Sequence, residues 1–406
     1  MGHLDIPQFL GLLVLILAAA KICGALAQWI GQPAVLGELV AGVILGNLAL
    51  VNPKNEVLHL LAELGVVILL FEIGLETDLR KLVKVGGAAT AVAVVGVALP
   101  FALGYAVCRL LGLDNLVAVV AGASLTATSV GITARVLSDL NRLQEPESQI
   151  ILGAAVIDDV IGLVILAVVS GLTEGEEVTL VGVAKITAIA FGFLIGTLLV
   201  GRLVVPLLVR LVSRINLPGT PTMLAVMVAF GLAWLASVSG SALIIGAFAA
   251  GLLLRDTPQA HEMERGVANL GHFCVRLFFV AVGAAVDLSV FNPLDPANRT
   301  TLLIGGLLIV AAVVGKFLAG HAPFWFRANK NVIGVGMIPR GEVGLIFAQM
   351  GLATAVFDAG IFSAVTLMVM VTTFIAPPLL KLLFPPVPSK GVPKQQEGIE
   401  DLVTEA

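Results

Sequence analysis

The sequence predicts an all-α polytopic membrane protein, and three observations carry that reading. Of its 406 residues, 58% are hydrophobic and only 12% charged, roughly half the charged share of a soluble domain. Apolar runs of about 20 residues, enough to cross a bilayer as a helix, recur along nearly the whole chain. Lysine and arginine collect in alternate gaps between those runs, as membrane topology requires. The mean hydropathy of +1.06 agrees.

Pro, Gly and charge punctuation divide the chain into about thirteen helices. They lie near 7–28, 34–50, 56–77, 84–111, 115–138, 147–172, 177–203, 220–238, 241–256, 262–288, 300–321, 331–354 and 358–383. The 44 glycines fit close helix approach. GxxxG spacing occurs at Gly42–Gly46 in the second helix and at Gly192–Gly196 in the seventh, and reads as general helix packing. The third helix closes on "LLFEIGLETDLR", where Glu72 and Glu76 approach the membrane surface. The fifth holds "GASLTATSVGITARV" (Gly122–Val136), rich in Ser, Thr and Gly; the sixth holds "GAAVIDDVIGLVILAVV" (Gly153–Val169) with Asp158 and Asp159 near its middle. Lys316 lies within the eleventh, and Pro339 interrupts the twelfth in "GVGMIPRGEVGLI" (Gly334–Ile346).

An outside N-terminus places fifteen basic residues inside: Arg80, Lys81, Lys84, Arg135, Arg142, Arg202, Arg210, Arg214, Arg255, Arg265, Arg327, Lys330, Lys381, Lys390 and Lys394. Only Lys54, Arg109 and Arg299 remain outside, with the acidic "TEGEE" (Thr173–Glu177). The C-terminus is then cytoplasmic, and residues 384–406 read as a short, proline-rich, disordered tail. No basic segment leads to a small-residue cleavage site, so no signal peptide is expected. Cys23, Cys108 and Cys274 are far apart with no metal-ligand spacing and read as packing residues, as does His272.

If the seventh helix (177–203) is a linker, six-helix units near 7–172 and 220–383 form an inverted repeat in one transmembrane domain, 1–383. Interrupted helices at matching positions of the two repeats, the fifth and twelfth, point to a binding site at the midplane. The charges point to the same place. A charged residue at a helix centre costs roughly 2.5–3.5 kcal/mol on insertion scales. Adjacent helical residues differ by about 100° in direction, so Asp158 and Asp159 face different surroundings. One can face the cation Lys316 and the other the gap between the interrupted helices. A carboxylate in that gap is a hard oxygen ligand for a hard cation and a proton acceptor, and the two compete for the same atoms. Thr126, Thr128 and Ser129 supply hydroxyl and carbonyl oxygens if the backbone unwinds there. Arg340 and Glu342 are expected to pair with one another or with Arg135 and to cap the broken helix ends.

"VIDDV", "TATSVGITARVL", "VVGK" and "IPRGEVGLI", in that order, resemble the NapA-type sodium/proton antiporters of the second monovalent cation/proton antiporter family. "QPAVLGELVAGVILG" (Gln32–Gly46) and "LLFEIGLETDL" (Leu69–Leu79) are similar too, so the likeness covers roughly residues 10–380. It implies a thirteen-helix fold with core and dimer domains, working as an elevator in a homodimer of the inner cell membrane. Asp159 would be the main Na+ (or Li+) and proton site. Asp158 would pair with Lys316 until the cation arrives, and Thr128 and Ser129 match positions near the ion. The aspartate pair is like that of electrogenic members. Glu72 departs from the family, which has an uncharged residue there.

The partners implied are the lipid bilayer, a second copy of the chain, and monovalent cations and protons as substrates; no cofactor and no nucleic acid is expected. A potassium/proton exchanger of the same fold is the near alternative. An intramembrane aspartyl protease is less favoured, since its carboxylates face each other, usually from separate helices with a GxGD motif that is absent here. "VVGKF" lacks the glycine and Ser/Thr of a phosphate-binding loop, so an ATP-driven pump is disfavoured and no enzyme is expected.

Overall fold

Polar residues at the edges of the apolar runs set where helices begin. The Asn55 side chain accepts from the backbone N–H of Val57 at 3.0 Å and of Leu58 at 3.1 Å. Asp114, Asn329 and Asp358 cap later helices in the same way, each satisfying N–H groups that a helix start leaves open.

The computed structural model describes residues 6–52, 55–174, 180–212, 219–286, 288 and 298–384. Its helices are α1 (Ile6–Trp29), α2 (Ala34–Asn47), α3 (Glu56–Glu76), α4 (Leu79–Lys84), α5 (Gly86–Leu110), α6 (Asn115–Ser124), α7 (Val130–Asp139), α8 (Pro146–Glu174), α9 (Leu180–Val212), α10 (Thr220–Val238), α11 (Leu243–Arg255), α12 (Ala260–Ala284), α13 (Asn298–Ala319), α14 (Lys330–Gly336), α15 (Glu342–Ala353) and α16 (Ala359–Leu383). Among the described residues there is no strand, and nine helices are long and apolar enough to cross a membrane. Four shorter apolar helices accompany them: Ala34–Asn47, Asn115–Ser124, Leu243–Arg255 and Val343–Ala353. Lys54, Arg214, Glu176, Glu177 and the tail from residue 385 lie outside the described residues.

Element edges differ from expectation in one place that matters locally. The run expected at 84–111 is α5, and a short extra helix precedes it, because Asp78 accepts from the N–H groups of Arg80 and Lys81 and starts α4. Gly86 and Gly87, poor helix formers, follow the break at Val85.

Two groups of helices pack mainly among themselves. One holds α1, α2, α3, α9, α10, α11 and α12; the other holds α5, α6, α8, α13, α14, α15 and α16. α7 and α8 form most of the seam, with α7 against α2 and α3 and α8 against α9. Small residues bring the first group close. A side-chain carbon at Gly42 or Gly46 of α2 would overlap backbone of α12, and one at Gly74 of α3 would overlap Phe248 of α11. Gly192 and Gly196 on α9 face open space, so identical GxxxG spacing serves packing in one helix and meets nothing in the other. Large apolar side chains stand exposed on α1, α9 and α10, among them Val14, Leu203 and Trp234, as a lipid-facing surface requires.

Candidate functional site

The site begins with two failures of helix. Between α6 and α7 the backbone leaves helical geometry from Leu125 to Ser129, and between α14 and α15 from Met337 to Gly341. In the first, the hydroxyls of Ser124 and Thr126 donate to the carbonyls of Ala121 and Ala123 at 2.6 and 2.7 Å, closing the end of α6 on itself. In the second, Pro339 lacks an N–H and disfavours helix at Ile338.

The breaks cross and are tied together. The Ser129 N–H donates to the Pro339 carbonyl at 2.9 Å. The Thr128 hydroxyl donates to the Met337 carbonyl at 3.3 Å, and the Thr133 hydroxyl to the Gly336 carbonyl at 2.7 Å. From α16, Thr373 donates to the Arg340 carbonyl. Gly341 makes the approach possible, since a side-chain carbon there would sit 2.5 Å from Ser129 Oγ.

α8 runs beside this crossing, with Gly162 facing Ala127. Asp158 is fully buried, and its Oδ2 accepts from both Lys316 Nζ and the Thr128 N–H, each at 2.9 Å. Its Oδ1 has no hydrogen-bond partner. Lys316 is also fully buried, its chain lying against Gly96 of α5, while Gly315 lets α13 close onto Pro100. Asp159, 6% exposed, lies on another face of α8 and in the electrostatic field of Lys316. Ser129 is buried with an unpartnered hydroxyl, whereas those of Thr126 and Thr128 are spent on carbonyls.

The supporting residues separate. Arg340, fully buried, donates through Nη1 to the Met337 and Ile338 carbonyls at 3.1 Å and so caps the end of α14. Its charge is felt at Asp158 and Lys316, while Nε and Nη2 have no partner. Arg135 does not pair with Arg340. It lies near the far end of α7, 3.1 Å from Asp139, because six helical residues carry it about 9 Å along the axis from Ser129. The Glu342 side chain lies outside the described residues; its backbone starts α15. His272, expected to be a packing residue, is exposed on α12.

Two buried carboxylates, a buried lysine and two crossed helix breaks make a place where a small cation can be stripped of water and exchanged against protons. Comparison with known proteins gives the family. A profile described as "Sodium/hydrogen exchanger, transmembrane" matches residues 14–384. The chain belongs to the sodium/hydrogen exchanger family. It is therefore a membrane-embedded cation/proton antiporter, a transporter and not an enzyme. This exchanger is 41% identical to the high-affinity Na+/H+ antiporter NhaS3 of Synechocystis, over 94% of this chain and 91% of that one. It is 33% identical to the Na+/H+-K+ antiporter GerN of Bacillus cereus, over 93% and 96% of the two chains. Its fold is similar to that of the sodium proton antiporter MjNhaP1 of Methanocaldococcus jannaschii, with TM-score 0.68, 17% identity and coverage of 93% and 97%.

Sequence reading passed over Thr133 and Thr373 in this exchanger. Each tethers the carbonyl of a residue more than thirty positions away, and nothing local to "GITARV" or "VTTF" distinguishes such a hydroxyl from one bonded to its own helix.

Proposed function

We propose that the protein exchanges Na+ or Li+ for protons electrogenically, with Asp159 as the shared cation and proton site. Asp158, Ser129 and Thr128 complete the ion's surroundings, the first two through oxygens that lack hydrogen-bond partners and the last through its backbone. Lys316 is the proton-coupling partner of Asp158. When the cation binds, Asp158 is drawn toward it, Lys316 loses its counter-charge, and the lysine releases its proton. Arg340 balances the carbonyl end of α14, Glu342 the opposite helix start, and Arg135 acts away from the ion.

The observation that carries this reading is the fully buried Lys316–Asp158 contact at 2.9 Å, one residue from a second buried carboxylate. A structural ion pair accounts for Asp158 alone, while breaking a buried pair is costly enough to couple to binding. The wider assembly follows from the same reading. About thirteen membrane helices form two inverted six-helix repeats, and the α8-containing group rides as an elevator against the group holding α1, α2 and α12. The protein works as a homodimer in the inner cell membrane, N-terminus outside and C-terminus cytoplasmic, and serves pH homeostasis. No cofactor takes part; Na+ and protons are substrates.

Reconstitution into liposomes with an imposed pH gradient tests it. Internal pH should rise or fall on addition of Na+ or Li+ and stay constant with K+. A K+ response would favour potassium/proton exchange, a reading supported by the likeness to GerN. Silence toward all three cations at several pH values would remove the assignment.

A further inference from the structure

Away from the crossing, a cavity of about 190 Å³ opens between α1, α2, α7 and α12. Its charged lining is Lys21, Glu38, Arg135, Asp139 and Arg276, with His272 beside them. Two ion pairs meet there from opposite sides of the seam. Arg135 and Asp139 belong to α7, 3.1 Å apart, while Arg276 of α12 lies 3.4 Å from Glu38 of α2. Glu38 also lies within electrostatic reach of Arg135 and Asp139. The Asp139 carboxylate faces the first N–H groups of α2, those of Ala34 and Val35, where the helix carries partial positive charge. Nearby, Gln144, just past α7, donates to the Glu76 carbonyl at the end of α3, a carbonyl also held by Arg255 of α11.

The cluster is only partly satisfied. The Asp139 carboxylate takes the contact from Arg135 Nε and faces the α2 N–H groups, while Glu38 Oε2 and Asp139 Oδ2 are buried and have no hydrogen-bond partner. Such a half-satisfied network gives up little when it separates into water. Three fixed cations against two carboxylates also repel an approaching Na+, so the cavity is no second cation site. It is a barrier.

We infer that this cluster is an electrostatic latch: Arg135 and Asp139 on α7, engaging Glu38 and the start of α2, hold the pathway closed at the end read as cytoplasmic. The inference rests on the elevator part of the proposed function, since a latch has meaning only where the seam moves. Loosening it raises the fraction of molecules open to the cytoplasm, and apparent affinity at each face follows that fraction.

The test is sided transport by uniformly oriented proteoliposomes of Glu38→Gln, Asp139→Asn and Arg135→Gln. The apparent KM for Na+ should fall at the cytoplasmic face and rise at the outer face, about fivefold, a typical conformational coupling. In Glu38→Gln with Arg135→Gln, the second change should add little to the first, because both remove one interaction. Equal loss at both faces, or no shift in any variant that folds, overturns the latch. A second measurement separates this from failure of the elevator. Glu76→Cys and Gln144→Cys are bridged by a short bis-methanethiosulfonate, which forms a disulfide at each cysteine with loss of methanesulfinate and is reversed by a reductant, with Cys23, Cys108 and Cys274 replaced by alanine. Reversible arrest supports a moving seam; arrest without sided shifts sinks the latch alone. Continued exchange when bridged overturns the elevator and the latch together.

Discussion

Asp158 carries two donors on one oxygen and none on the other, and that asymmetry organises what single substitutions should do. Lys316→Gln leaves a fully buried carboxylate without its cation, and removing one partner of such a pair costs about 3–5 kcal/mol. Proton uptake at Asp158 relieves part of the cost. We expect a lower melting temperature and electroneutral exchange, read as loss of dependence on an imposed membrane potential; retained electrogenicity would show that Lys316 carries no transported proton. Asp159→Asn keeps the Lys316–Asp158 contact, so the protein should fold while Na+-dependent proton movement disappears. An active, folded Asp159→Asn would move the cation site elsewhere. Thr133→Val removes the donor to the Gly336 carbonyl, and an orphaned buried carbonyl costs about 1–3 kcal/mol. Reduced stability with partial loss of transport is expected, restored by Thr133→Ser. The aspartates and Lys316 were legible because charge in an apolar run stands out. Thr133 was not, since its partner lies 203 positions away.

Between elements, the interrupted helices were legible from composition, as clustered Ser, Thr and Gly in one and Pro339 in the other. The partner of a given charge was not. Arg135 was one expected partner of Arg340 and Glu342, yet it lies six residues past Ser129, about 9 Å along α7, and pairs with Asp139 at the seam. Glycine spacing has the same limit. Gly42–Gly46 and Gly192–Gly196 are identical as patterns, yet only the first pair meets a neighbouring backbone. Gly42→Leu or Gly283→Leu should force α2 and α12 apart, since a side-chain carbon at either overlaps the other helix. Overpacking typically costs about 1–3 kcal/mol, so the melting temperature in detergent should fall. Gly192→Leu, with nothing within 4 Å of its side-chain position, should melt like the parent. Equal losses at both sites would mean that α9 has a neighbour in the assembled protein.

For the whole molecule, geometry says which segments share an end, and charge says which end is cytoplasmic. Lys381, closing α16, reaches Gly31 in the turn between α1 and α2. Arg142, after α7, stacks over Phe384 with 5.5 Å to the ring centre. Lys81 donates to Gln144, and Gln144 and Arg255 both reach Glu76. These contacts gather one end of the bundle without reference to charge sign, and it is the end that holds most of the lysine and arginine. At the other, Asn47 meets the Val286 carbonyl and Arg109 the Leu113 carbonyl. Positive loops stay in the cytoplasm because moving them across the membrane is disfavoured, so the Lys81 end should be inside. Single cysteines at Lys81 and Arg109, both exposed, in a chain lacking Cys23, Cys108 and Cys274, decide this with a membrane-impermeant maleimide on intact cells. Arg109→Cys should label at once and Lys81→Cys only after the membrane is permeabilised. The reverse pattern would turn the protein over. It would place the α7–α2 seam cluster on the outer face, so that loosening it would favour cation entry from outside.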